Sequence, residues 1–127
     1  MKLLKPYSHQ VYALLRIVAG AMFSFHGFQK IFGLLAESQP ALGSQIWIGG
    51  VIELVTGLLI FIGFKTRIAA FLASGTMAVA YCQFHWKFQF TEAFFPTVNR
   101  GELALLYAFV FLYIACRGSV TLGLDKD

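Results

Sequence analysis

Four apolar runs fill most of this chain, at about 11–35, 46–64, 68–86 and 98–116, and all three prolines, Pro6, Pro40 and Pro96, lie outside them. A run of about 20 residues, rising 1.5 Å per residue as a helix, crosses a hydrocarbon core of about 30 Å. Lipid offers no partner for a free N–H or C=O, so such runs become helices, and proline sits where it interrupts none of them. Charged residues make up only 13% of the 127, against about 25% in soluble domains, and hydrophobic residues 58%. A soluble globule and a disordered chain are both excluded. The pattern predicts one all-α domain over residues 1–127, an integral membrane four-helix bundle with antiparallel helices. The fourth run is the shortest, and its start is set near Val98 so that Arg100 and Arg117 reach opposite interfaces.

Orientation follows from the basic residues, which stand singly at the ends of the runs. With four spans, Lys2, Lys5, Arg16, Lys65, Arg67, Arg117 and Lys126 fall on one side and Lys30, Lys87 and Arg100 on the other. Seven against three predicts both termini in the cytoplasm. No basic patch interleaves with aromatics, so nucleic acid is not expected as a partner despite the net charge of +4. Lys2 and Lys5 ahead of an apolar run resemble a signal peptide, but Arg16 interrupts its core and apolar sequence continues beyond, so a retained first helix is expected. From about 84 to 95, Phe84, Trp86, Phe88 and Phe90 alternate with polar residues. That period of two suggests an extended interfacial segment with its rings among lipid headgroups. Cys82 and Cys116 fall near opposite ends of the bundle, too far apart for a disulfide.

Function is sought among the ionisable groups in the runs, because a charge at mid-bilayer costs about 2.5 to 3.5 kcal/mol unless it faces the interior and pairs. Arg16, His26, Lys30, Glu53, His85 and Glu102 are such groups, with Arg100 at the edge of the fourth run. Glu53 lies about 10 Å below the outer end of the second helix, and His26 reaches a similar depth on the first. Lys30 follows His26 at i+4, on the same face. All except Arg16 converge on the outer half. His26, Glu53 and Lys30 are the candidate catalytic residues, while Glu102, His85, Arg100 and Arg16 form a polar cluster that is either substrate-binding or structural. A Lys30–Glu53 pair fixing helix register satisfies the same physics. Gly49, Glu53 and Gly57 share a stripe that admits close approach of a neighbouring helix. No H-x-x-x-H or E-x-x-H spacing signals a metal, and no strand followed by G-x-G-x-x-G signals flavin or nicotinamide.

Several segments carry a resemblance. They are Leu15-Arg16-Ile17 with His26-Gly27-Phe28-Gln29-Lys30, then Gly49-Gly50-Val51-Ile52-Glu53 running into Gly57 and Gly63-Phe64-Lys65-Thr66-Arg67, and last Asn99-Arg100-Gly101-Glu102-Leu103 with Arg117-Gly118. Together they are similar to the DoxX family of membrane proteins over about residues 14 to 125. The tail departs from the family's glycine-proline-glycine turn and Ser-x-Asp, reading Gly118-Ser119 and later Leu122-Gly123-Leu124-Asp125. The resemblance implies a four-helix protein of the bacterial or archaeal cytoplasmic (inner) membrane. Some members resemble the small subunit of a thiosulfate:quinone oxidoreductase, and others are linked to tolerance of catechols, quinones or thiol oxidants, often beside soluble redox partners.

The leading expectation is a subunit of a membrane redox system that handles quinone or quinol, with proton exchange at the outward polar site. Its partners would be the lipid bilayer, a quinone-like small molecule and soluble or membrane redox proteins, with a homo-oligomer compatible. A small carrier of a polar solute or ion is the alternative, and a non-catalytic assembly or anchoring subunit the second.

Overall fold

The computed structural model describes residues 2–126, and among them every regular element is helical. A 3-10 turn (Lys5–Tyr7) leads into α1 (Ser8–Phe32), followed by α2 (Gln45–Ile62) and α3 (Thr66–Ala80). The last continues as a π-helical turn, Tyr81–Trp86. A 3-10 turn (Glu92–Phe94), the short α4 (Pro96–Asn99) and α5 (Glu102–Arg117) complete the chain. Three helices are long and apolar enough to cross a membrane: Lys5–Phe32, Gln45–Ile62 and Thr66–Trp86.

The burial pattern differs from that of a soluble protein. The buried faces are rich in small or polar residues, among them Ala13, Ala19, Gly20, Ser24, Glu53, Thr56, Ala69, Ala73 and Ser74, around a few large ones such as Phe23, Ile60 and Phe111, whereas Phe25, Phe71, Leu106 and Phe109 point outward. Small residues inside and large apolar ones outside suit helices packed in lipid, where no hydrophobic effect separates core from surroundings. α1 packs along α2, and α3 along α5. Phe23 of α1 joins the pairs, its ring 5.5 Å from Tyr107 and 4.7 Å from Phe111 on α5.

The α1–α2 crossing depends on glycine. A Cβ at Gly57 would lie 2.6 Å from the Ser24 backbone nitrogen, and one at Gly27 2.5 Å from that of Leu54. Gly49 differs from its place in the expected packing stripe: a Cβ there would meet nothing within 4 Å. The stripe divides because Gly57 faces α1, while Gly49 lines a cavity.

Two other sequence expectations are corrected. The segment from 84 to 95 is wound rather than extended. Phe84 and Trp86 belong to the π-helical turn, and Lys87 and Phe88 both take φ 54°, folding Phe88, Phe90 and Phe94 around the Trp86 ring. Aromatic clustering, not alternation across an extended backbone, decides the conformation. The fourth long helix begins at Glu102, not near Val98, because the chain breaks at Arg100, with φ 60°. Asn99 holds that break, its Oδ1 accepting from the Gly101 N–H and its Nδ2 donating to the Tyr81 hydroxyl and the Ala93 carbonyl.

At the opposite end, Arg16 is fully buried and ties three segments together. Nη1 donates to the Ile60 and Phe61 carbonyls at the end of α2, and Nη2 to Thr121 and Leu122 in the tail. Tyr12 donates to the Gly118 carbonyl, so the start of α1 and the end of α5 share one end of the bundle. Asp125 accepts the Lys65 and Thr66 backbone N–H groups at 2.6 and 2.8 Å, capping α3 in place of a local side chain. Burial pushes its carboxyl up, but hydrogen bonding to Thr66 and Lys65 and the Arg16 charge outweigh this and hold it below the ordinary value of 3.8.

Candidate functional site

A cavity of about 870 Å³ lies among α1, α2, α3 and α5, away from the Arg16 end. That volume is in the range of small-molecule sites. Glu53 projects into it from the middle of α2 and is only 3% exposed. Lys30, near the end of α1, reaches down with Nζ 2.7 and 2.8 Å from the two carboxylate oxygens, the one ion pair among the described residues. Gly50 makes room for the lysine, since a Cβ there would sit 2.7 Å from Lys30 Cβ. Lys30 keeps 30% of its side chain exposed, so the pair has a buried acid and a base in contact with the outside.

His26 lines the same cavity, one helical turn below Lys30, half-buried and with no hydrogen-bond partner among the described residues. His85 and Arg100 line it from the other side. The π-helical turn presents His85 toward α4, where Nδ1 lies 3.3 Å from the Asn99 carbonyl. A carbonyl only accepts, so the bonded neutral ring carries its proton on Nδ1 and leaves Nε2 as an acceptor.

Two candidates from the sequence lie apart from this group. Glu102 is exposed at the start of α5, accepts from the Thr97 hydroxyl and does not line the cavity. Arg16 belongs to the opposite end. Conversely, Tyr107 was not singled out by sequence, although it lines the cavity, is 6% exposed and has a buried hydroxyl without a hydrogen-bond partner. Its only sequence signal was a phenol within an apolar run, which ordinary packing also uses. Asn99 entered the sequence reading only as the first residue of the Asn99–Leu103 motif, with no role of its own, whereas the structure has it hold the break at Arg100. Cys82 and Cys116 are free thiols. Among the described residues no three His, Cys, Asp or Glu side chains come together as metal ligands do.

Residues 11–86, which span α1 to the π-helical turn, match the DoxX family model. The chain belongs to the DoxX family. As a DoxX protein it is a multi-pass membrane protein, in keeping with its apolar helices. It is 39% identical over 130 residues to an uncharacterized protein of Haemophilus influenzae, covering 99% of this chain and 96% of that one. It is 30% identical over 117 residues to a Bacillus subtilis protein named "Putative oxidoreductase CatD", covering 88% of this chain and 82% of the relative. No solved structure matches it significantly.

Proposed function

We propose that this DoxX protein is a subunit of a membrane redox system that binds a quinone or quinol in the cavity and exchanges protons with it. The observation that carries this reading is a buried carboxylate, an ammonium and an unpartnered imidazole lining one largely apolar cavity. The relationship to a protein named as an oxidoreductase agrees with it.

Reducing a quinone to quinol takes up two electrons and two protons, and oxidation reverses this. His26 is the proton-exchanging group, since one ring nitrogen can accept a proton while the other donates one, with Glu53 as the acid behind it. Lys30 offsets negative charge on the quinone oxygen while neutralising Glu53 between turnovers. Arg100 and His85 stand at the outer wall as polar contacts. The redox system supplies the electrons through a partner protein, and this chain supplies the quinone site and its protons.

The same reading includes four spans, α5 being the fourth, in the bacterial or archaeal cytoplasmic membrane with both termini in the cytoplasm. Positive charge concentrated at the Arg16 end supports that orientation. Purified protein in lipid nanodiscs is expected to bind a benzoquinone saturably, and Glu53→Gln and His26→Gln to lower quinone-linked activity of membranes at least tenfold. Absence of binding, together with unchanged activity in both variants, would refute it.

A further inference from the structure

We infer that the cavity takes a ligand with a hydrocarbon tail, and that the tail passes into the bilayer through the cleft between α2 and α3, beside Gly49 and Gly75. The inference rests on the quinone reading and deepens it, assigning a quinone that carries an isoprenoid chain. α2 and α3 are tied at two places only a helix length apart. The tight turn around Gly63–Lys65 joins them at one end, and at the other Gln45 Nε2 donates to Gln83 Oε1 at 2.5 Å. Between these ties lies the side wall of the cavity.

That wall is apolar and opens outward. Ile48 of α2 and Phe71, Leu72 and Val79 of α3 line the cavity and are also exposed on the outer surface of the molecule. One set of side chains therefore faces both the interior space and the lipid. The glycines agree. Along the α1–α2 crossing, glycine sits where a methyl group would strike backbone, but a Cβ at Gly49 or Gly75 would meet nothing within 4 Å. These two glycines pack against no neighbouring helix and leave the cleft wide. The buried carboxylate of Glu53, paired with Lys30, stands deeper, and none of the cleft side chains named here is ionisable. A polar ring held inside with its chain leading out satisfies both ends of the cavity, whereas a fully water-soluble solute leaves the apolar wall unmatched.

The test compares a benzoquinone bearing a long isoprenoid chain with its tail-less analogue, binding to wild type and Gly75→Leu in nanodiscs. Gly75→Leu is expected to weaken the long-chain quinone about tenfold or more and to leave the tail-less one within about twofold. Equal weakening of both, no effect on either, or a change of oligomeric state caused by Gly75→Leu overturns the inference. Should wild type bind neither quinone, the quinone reading fails, and the cleft is then judged by a spin label at Gly75→Cys in a Cys82→Ser, Cys116→Ser background. A label reached by dissolved oxygen but shielded from a water-soluble nickel chelate supports an opening to lipid. A label shielded from both, or reached by the chelate, overturns it.

Discussion

Removing Lys30 should destabilise this protein more than removing the charge of Glu53, although the two form one ion pair. At 2.7 Å and an effective dielectric of about 20, the attraction is about 6 kcal/mol before desolvation is subtracted. The partners do not share that desolvation equally. Glu53 is 3% exposed, whereas 30% of the Lys30 side chain meets the surroundings. Lys30→Met strands a buried carboxylate at a cost of about 3 kcal/mol. Glu53→Gln leaves an ammonium that keeps one hydrogen bond and turns its free donors outward, costing about 1 kcal/mol. The double variant buries no charge and should recover about 2 kcal/mol of the Lys30→Met loss. Equilibrium unfolding in mixed micelles measures all three. A double variant that loses the sum of the single effects, or a Glu53→Gln at least as damaging as Lys30→Met, refutes this account of the pair.

Arg16→Lys should cost about 2 to 4 kcal/mol, because one ammonium cannot replace a guanidinium that serves four carbonyls, and hydrogen exchange of residues 119–125 should rise with it. Gly57→Ala should destabilise the α1–α2 crossing by about 2 kcal/mol, while Gly49→Ala should be neutral or stabilising by up to about 1 kcal/mol, read in the same unfolding assay. The carboxyl of Asp125 titrates below 3.8 in the folded protein, so its stabilising contribution is complete above that value and disappears as pH falls through the lower folded one. Proteolysis of the tail should accelerate in that acid window for wild type, and Asp125→Asn should remove the dependence while remaining more susceptible at neutral pH.

The helices were legible because length and hydropathy act on whole segments and average over local detail. The Lys30–Glu53 pairing was legible for a related reason: opposite charges about one helical turn apart in depth, in facing apolar runs, have few other ways to avoid lipid. Local backbone geometry was not. The aromatic alternation from Phe84 to Phe90 suggested an extended strand-like segment, yet rings that can collapse onto Trp86 gain more by clustering, and the π-helical turn starts where Tyr81 meets Gly101 and Asn99. Spacing likewise could not divide the glycines, since Gly49 and Gly57 share a helix face and differ only in what lies opposite. Tyr107 and Glu102 show the same limit. A phenol that reads as core lines the cavity, while a carboxylate that reads as part of the site stands exposed at the start of α5, bonded to Thr97.

Quinone contact with the cavity is tested most directly by photolabelling native membranes with an azido-benzoquinone and sequencing the labelled peptides. Label on the segments of α2 and α3 that carry Ile52, Glu53 and Thr76, displaced by excess unlabelled quinone, is the expected result. Label that quinone fails to displace, or that falls on the aromatic segment from 88 to 95 and spares both helices, would contradict it.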